Sequence, residues 1–83
     1  MTAFKNRNLS AEEAFWVMYY FLEEHYSLSN GTFDVSDVLS ASEPIADNNN
    51  IKVPIDSGMI DFWNDAIKKF ETFGSPPIKN FGY

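Results

Sequence analysis

The run AFWVMYYFL at residues 14–22 constrains this chain more than any other feature, because nine consecutive apolar or aromatic residues have to be buried against something. The run shows no alternation of apolar and polar residues, which favours a helix over a strand. Ser10 and Glu13 have the spacing of a capping box, in which each side chain accepts a hydrogen bond from the other residue's backbone N–H. We predict a first helix from about Ser10 to about Tyr26, ended by the turn-forming sequence at 29–31.

A helix formed by this run is apolar around its whole circumference. Helical spacing groups most of its residues on two neighbouring faces, which we predict to form the core. The predicted core residues of the first helix are Ala14, Phe15, Val17, Met18, Phe21 and Leu22. Trp16, Tyr19 and Tyr20 cover the remaining circumference. Three short helices cannot enclose a helix on every side, so we expect some of these three residues to be exposed, or to be covered by the 44–54 loop or the C-terminal tail.

A shorter second helix follows. Asp34 or Ser36 can cap its start, and it should end near Ser42 or Glu43, because Pro44 disfavours the α conformation in the residue before it.

The segment 44–54 contains several Asn and Asp turn formers and predicts a long ordered loop. Ile45, Ile51 and Val53 are apolar and are expected to anchor this loop on the core. A short strand at 51–53 has no convincing pairing partner in the sequence.

The third helix should begin near Asp56 or Ser57, both good N-cap residues. Gly74 followed by Pro76 and Pro77 ends it. Its predicted core residues, at helical spacing, are Ile60, Phe62, Trp63, Ala66, Ile67, Phe70 and Phe73.

Together these elements predict an all-α fold: a small three-helix domain, with two long helices and a short one, and a long ordered loop. We predict one domain over residues 1–83, with a helical core at about 10–73 and peripheral ends at 1–8 and 75–83. In the C-terminal end, the residues expected to contact the core are Ile78, Phe81 and Tyr83.

Composition excludes several ways of stabilising so small a domain. At 83 residues the core is thin, and natural domains of this size often need a disulfide, a metal or a partner. The chain has no cysteine, which excludes disulfides and thiolate zinc sites, and its single histidine argues against a histidine-based structural metal site. Packing must therefore stabilise the fold, and the 17% aromatic content supplies large side chains for it.

The net charge of −6 is distributed unevenly along the chain. Between Asn8 and Ile67 there are eleven acidic residues and one basic residue, Lys52, while the other basic residues lie toward the two ends. An acidic body repels phosphate backbones and anionic membrane surfaces, so we expect no binding to nucleic acid or to a membrane. It suits a basic protein partner, whose approach it would accelerate.

The sequence also bears on the compartment. Its first ten residues lack the apolar segment of a signal peptide, and its longest apolar run, nine residues, is about half of the roughly 20 residues needed to span a bilayer. We therefore expect a cytoplasmic protein.

No motif for catalysis or metal binding is present in the sequence. A Gly-rich phosphate loop, an HExxH pair and a nucleophile elbow are all absent. His25, the only histidine, has no second chemical group to pair with, and Asp34, Asp37 and Asp47 do not match the ligand pattern of an EF-hand loop. We expect a non-enzymatic protein without a cofactor or a metal. An enzyme is the alternative if His25 lies in a deep pocket beside a carboxylate.

Three segments, in their order and spacing, resemble a family of small acidic bacterial proteins. The segments are AFWVMYYFLEEHY, FDVSDVLS and IDSGMIDFWNDAIKK, and the resemblance covers roughly residues 10–69. Several members of this family are immunity proteins of contact-dependent growth-inhibition systems, which bind and neutralise a cognate toxin domain. The residues that match the family's pattern in the second and third segments are Asp34, Asp37, Leu39, Ser40, Met59, Asp61, Trp63 and Ala66.

The resemblance implies that this chain is an immunity protein whose gene lies beside that of its toxin. We predict that an acidic surface docks on the toxin, for example a nuclease with a basic active site, and occludes it. The predicted partner-binding residues are Asp34, Asp37, Glu43, Asp47, Asp61 and Asp65, with Trp16 and Tyr20 as aromatic contacts. The alternative is a homo-oligomeric structural or adaptor protein, such as a dimer whose contact buries Trp16 and Tyr20.

Overall fold

Residues 3–79 are described by a computed structural model of the protein, and they form three α-helices and one two-stranded antiparallel sheet. Helix α1 spans Ala11–Leu28, α2 spans Val35–Ala41 and α3 spans Gly58–Phe73. Strands β1, Pro44–Ala46, and β2, Lys52–Pro54, lie between α2 and α3. The prediction of three helices is confirmed, but the fold is mostly helical rather than all-α. None of the helices within residues 3–79 is long and apolar enough to cross a membrane.

The helix ends follow local hydrogen-bonding chemistry. The predicted capping box is present: the N–H of Glu13 donates to Ser10 Oγ at 3.1 Å, and the N–H of Ser10 donates to Glu13 Oε1 at 2.9 Å. The hydrogen bond from the backbone of Ser10 is the main reason why the pKa of Glu13 is lowered. Asp34 caps α2 by accepting the backbone N–H of Ser36 at 2.9 Å, and Gly74, with a φ of 73°, ends α3.

The predicted loop after α2 is a β-hairpin, so the prediction of an all-α fold is wrong on this point. Ile45 pairs with Val53 in the antiparallel register. Asp47 closes the turn, since its Oδ1 accepts hydrogen bonds from the backbone N–H groups of Asn49 at 2.8 Å and Ile51 at 2.9 Å. The sequence did not reveal this pairing because β1 has only three residues and begins with a proline, a residue that sheets usually exclude from their interior.

The apolar residues predicted to anchor the loop and the tail mostly do not do so. Ile45 and Ile51 are exposed, because the hairpin presents them to solvent, and only Val53 is half-buried. In the C-terminal tail Ile78 is 97% exposed, while Phe81 and Tyr83 lie outside the described residues.

Helices α1 and α3 run in opposite directions and bury the core between them. Phe62, near the start of α3, contacts His25 near the end of α1, whereas Phe70, near the end of α3, lies under the guanidinium of Arg7, just before α1. The central cluster consists of Val17, Tyr20, Ala66 and Ile67, with Leu9, Phe21, Trp63 and Phe70 packed against it. The predicted core stripe of α3 is thus confirmed, except that Phe73 is exposed because it lies in the last turn.

The predicted core of α1 is confirmed for Val17, which is buried, and for Phe21, which packs against the central cluster, but it is wrong for Phe15 and Met18. Phe15 is 56% exposed and Met18 is 37% exposed, whereas Tyr20, which was expected outside the core, is only 6% exposed. The hydroxyl of Tyr20 donates to the carbonyl oxygen of Gly74 at 2.8 Å, so the polar end of this buried side chain is satisfied. Helix α1 therefore packs on α3 through the face that contains Val17 and Tyr20, and its opposite face is turned to solvent.

The segment before α1 is fixed along α3. The side chain of Asn64 donates to the carbonyl oxygen of Ala3 at 2.8 Å and accepts the backbone N–H of Lys5 at 2.9 Å. The guanidinium of Arg7 lies 2.9 Å from a carboxylate oxygen of Glu71. Through these contacts, the segment before α1 covers an end of the core that α1 leaves uncovered.

We expect the substitution Tyr20→Phe to lower the free energy of unfolding by about 1 kcal/mol, because it removes the donor to the Gly74 carbonyl and nothing else. Urea denaturation followed by circular dichroism measures the change. Tyr19→Phe is the matched control: its hydroxyl is exposed and its contact with Glu23 is long, at 3.4 Å. We expect this control to change stability by less than about 0.5 kcal/mol. Equal losses in the two variants would contradict the role assigned to the Tyr20 hydroxyl.

Candidate functional site

Five side chains on the solvent side of α1 form a continuous apolar stripe, which we call the open face. They occupy positions i, i+3, i+4, i+7 and i+11 of the helix, so they follow one another along one side. The open face consists of Phe15, Met18, Tyr19, Leu22 and Tyr26. All of these side chains are exposed except Leu22, which is half-buried. Phe33, from the turn between α1 and α2, and Glu23 complete the lining of an open groove of about 560 Å³ over this face.

Helix α1 is apolar both on the side that it buries and on the open face. The buried side contains Val17 and Tyr20, with Phe21 packed against the core and Ala14 half-buried, whereas Glu24 is exposed. The open face has large apolar or aromatic side chains and no charged residue along its length. A surface helix normally carries polar residues on the side turned to solvent. The contiguous apolar surface of α1 is therefore of the kind that marks an interaction site.

Trp16 borders the open face, and Tyr20 does not. The ring of Trp16 is half-buried and packs edge-on against Phe15, with 5.2 Å between ring centroids and 89° between ring planes. Tyr20 is a core residue, so it presents no aromatic surface to a partner while the domain is folded. Of the two aromatic residues predicted to bind a partner, the structure therefore places only Trp16 next to accessible apolar surface.

The surroundings of the open face are negatively charged. Between residues 8 and 51 the sequence contains eight acidic residues and no Lys or Arg. Glu12 and Glu23 lie on the side of α1 that adjoins the open face. Lys69 of α3 reaches Glu23, with 3.4 Å between Nζ and Oε1, and both side chains are about four-tenths exposed. An exposed pair of this kind contributes little to stability and can be displaced by a competing cation.

The six carboxylates predicted to bind a partner lie on separate parts of the fold and do not form one cluster. Asp34 and Asp47 have structural roles, because each accepts backbone N–H groups at a helix start or a turn. The hydrogen bond from the Ser36 hydroxyl is the main cause that lowers the pKa of Asp34. Within residues 3–79, no three His, Asp or Glu side chains lie close enough to hold a metal ion. The predicted carboxylates that are exposed without such a role are Asp37, Glu43, Asp61 and Asp65.

His25 lies in an aromatic environment. Its ring is 4.7 Å from that of Phe21 and 4.3 Å from that of Phe62, measured between centroids. Burial lowers the pKa of His25, and the nearby carboxylate of Glu24 opposes this shift in part. Its Nε2 is buried and has no hydrogen-bond partner among residues 3–79. The arrangement holds a neutral imidazole in a packing role between α1 and α3.

Comparison of the chain with protein-family models, with curated proteins and with solved structures finds no match. Sequence reasoning missed the open face because Phe15, Met18 and Leu22 were assigned to the core together with the neighbouring side that contains Val17 and Phe21. No local pattern separates the two sides, since the acceptor of the Tyr20 hydroxyl is Gly74, fifty-four positions away.

We expect the free energy of unfolding to fall as the pH decreases below about 6.5, because the unfolded chain then binds a proton at His25 that the folded protein resists. The pKa of His25 is lowered by folding, so its contribution is fully present above 6.5 and is lost as the pH falls toward the folded-state pKa. Glu13 and Asp34, whose pKa values are also lowered, add a further loss only near and below their ordinary values of 4.5 and 3.8.

Denaturant titrations between about pH 7.5 and pH 5 measure this effect. The variant His25→Phe keeps an aromatic ring between Phe21 and Phe62 but cannot titrate, so its stability should be nearly constant over that range. A His25→Phe variant that loses as much stability as the natural protein would assign the pH dependence to other groups.

The open face and the core should respond differently to truncation. We expect Phe15→Ala to lower the free energy of unfolding by less than about 1 kcal/mol, because its ring is largely exposed. Ile67→Ala should lower it by about 2–5 kcal/mol, because Ile67 is buried in the central cluster. Thermal denaturation of the two variants measures the difference. A loss from Phe15→Ala as large as that from Ile67→Ala would mean that the open face belongs to the folding core.

Proposed function

We propose that this protein is an immunity protein, which binds a cognate bacterial toxin domain and neutralises it by covering the toxin's active site. The single observation that carries the proposal is the open face, a contiguous stripe of large apolar and aromatic side chains that α1 leaves exposed. A surface helix whose only role was stability would normally carry polar residues on that side. The exposed side therefore supports a role in binding another protein.

The residues of the open face are those that contribute most at protein interfaces. Aromatic residues and methionine are enriched at the centres of such interfaces, and a few of them provide most of the binding energy. Removing apolar surface from water contributes about 25 cal/mol per Å². Phe15, Tyr19 and Tyr26 are large rings with roughly half of their surface exposed. Burying that surface against a partner would therefore contribute favourably to the free energy of binding.

The charge of the domain favours a basic partner. The acidic surface steers a cationic protein toward it and slows the approach of acidic ones. In the proposed complex, the carboxylates that adjoin the open face, Glu12 and Glu23, meet lysines and arginines of the toxin, while the exposed carboxylates elsewhere add to the acidic field that steers it. Those carboxylates are Asp37, Glu43, Asp61 and Asp65. If the toxin is a nuclease, Glu12 and Glu23 occupy positions that substrate phosphates would take, and the bound domain excludes the nucleic acid.

The identification of the partner as a toxin is supported by the resemblance of the sequence to immunity proteins. The matching residues include Trp63 and Ala66, which the structure places in or against the core, and Asp37 and Asp61, which are exposed. Trp63 and Ala66 support a fold shared with the immunity proteins. Asp37 and Asp61 lie on the surface, where they are accessible to a partner.

A second candidate function is self-association through the same open face, which would make the protein a homo-oligomeric structural or adaptor protein. The exposed apolar stripe favours this candidate as it favours any protein contact. The net charge of −6 on each copy opposes it, since two acidic bodies repel each other.

We expect co-expression of this protein with the toxin domain encoded by the neighbouring gene to restore growth of a sensitive bacterium. Phe15→Ala should weaken binding to the purified toxin domain about tenfold or more and reduce protection, because it truncates a ring of the open face. Isothermal titration calorimetry gives the affinity, and colony counts give the protection.

Phe73→Ala is the matched control for this experiment. Phe73 is also an exposed phenylalanine on a helix, but it belongs to the last turn of α3 and not to the open face. It should bind and protect like the natural protein. Absence of protection by the natural protein would reject the proposed function, and equal effects of the two substitutions would reject the role of the open face in it.

A further inference from the structure

We propose that the occupant of the open face is an amphipathic helix of the partner, with apolar residues on one side and lysines or arginines beside them. This inference rests on the proposed function, since it specifies which part of a protein partner meets α1. The occupant is a helix rather than a strand, and it belongs to a basic protein rather than to a second copy of this chain.

The shape of the open face fits a helix. From Phe15 to Tyr26 the stripe runs for three turns, about 16 Å at 1.5 Å per residue. Phe33 stands beside the stripe and makes it a groove. Apolar residues at helical spacing on a second helix pack into such a groove along its whole length, which is a recurrent way for proteins to recognise helical segments.

A strand is a poorer occupant. Strand addition needs an exposed sheet edge with unpaired backbone groups, and the backbone of α1 offers none on its open face. The hairpin is the one sheet among residues 3–79, and Pro44 and Pro54 lie opposite each other in it. Because proline lacks an N–H, each strand has lost a donor at that position. The hairpin edges are thereby protected against pairing with another chain.

The charge around the groove selects a basic occupant. Glu23 lines the groove, and Glu12 lies on one side of it. The sequence has no Lys or Arg between residues 8 and 51. Glu12 makes no ion pair within residues 3–79, and the contact of Glu23 with Lys69 is solvent-exposed. Cations beside the apolar stripe of an incoming helix would meet these carboxylates. A second copy would bring the same glutamates to the contact, which opposes self-association.

The test uses a synthetic peptide of about 16 residues as the probe, long enough to span the open face as a helix. It carries leucines at helical spacing on one side and lysines on the flanking positions, and a control peptide has glutamates in place of the lysines. Binding is followed by NMR of the protein with ¹³C-labelled methionine methyl groups. Met18 lies on the open face, whereas Met59 lines a separate cleft beside Trp63 and the hairpin and serves as the internal reference.

We expect the lysine peptide to shift the Met18 signal saturably and to leave Met59 unchanged. Phe15→Ala should weaken this binding about tenfold, and Phe73→Ala should not alter it. The glutamate peptide should bind at least about tenfold more weakly, and added salt should narrow that difference because exposed charges are screened.

Several results would overturn the inference. The Met18 signal could stay unmoved, the Met59 signal could shift in its place, or the two peptides could bind equally well. A shift of Met18 that depends on protein concentration and occurs without any peptide would identify a second copy of the chain as the occupant. If the natural protein still protects against the toxin in such a case, the inference fails and the proposed function stands. If the lysine peptide binds as expected but no protection is found, the proposed function fails and the binding property of the open face remains.

Discussion

The contact between α1 and α3 is the interaction on which the rest of the structure depends. Val17 and Tyr20 on one helix and Ala66 and Ile67 on the other form its centre. Two packed helices contact each other along one side only, so another element is needed to cover the far side of α1. The segment 3–9 extends the cover of the core at one end through Asn64 and Glu71, but nothing in residues 3–79 is placed over the open face. That side of α1 is therefore exposed in the part of the chain that the structure describes.

The few basic residues of the chain are concentrated at the same helix pair. Lys5 and Arg7 pair with Glu71, Arg7 also reaches Glu13, and Lys69 pairs with Glu23. These exposed pairs contribute little individually to stability. They compensate Glu13, Glu23 and Glu71, whereas Glu12, which adjoins the open face, makes no ion pair within residues 3–79.

The parts of the fold that depend on neighbouring residues could be predicted, and the parts that depend on distant ones could not. Ser10 and Asp34 cap their helices through bonds to residues two or three positions away, and Gly74 ends α3 through its own backbone conformation. The hairpin requires a pairing across the turn that three residues beginning with Pro44 do not announce. The choice between the two apolar sides of α1 requires knowledge of Gly74, fifty-four positions from Tyr20, whose carbonyl satisfies the Tyr20 hydroxyl. Periodicity alone contains no information about that acceptor.

Polar contacts as well as apolar burial favour the side of α1 that faces α3. Rotating the helix to bury Phe15, Met18 and Leu22 would expose Val17 and Phe21 and would separate the Tyr20 hydroxyl from the Gly74 carbonyl. A hydrogen bond of this kind contributes about 1 kcal/mol to stability. In the observed orientation one apolar side is buried with its tyrosine hydroxyl satisfied, and a second apolar side stays accessible. The net charge of −6 then limits the self-association that such a surface invites, so the open face can remain available for a partner of opposite charge.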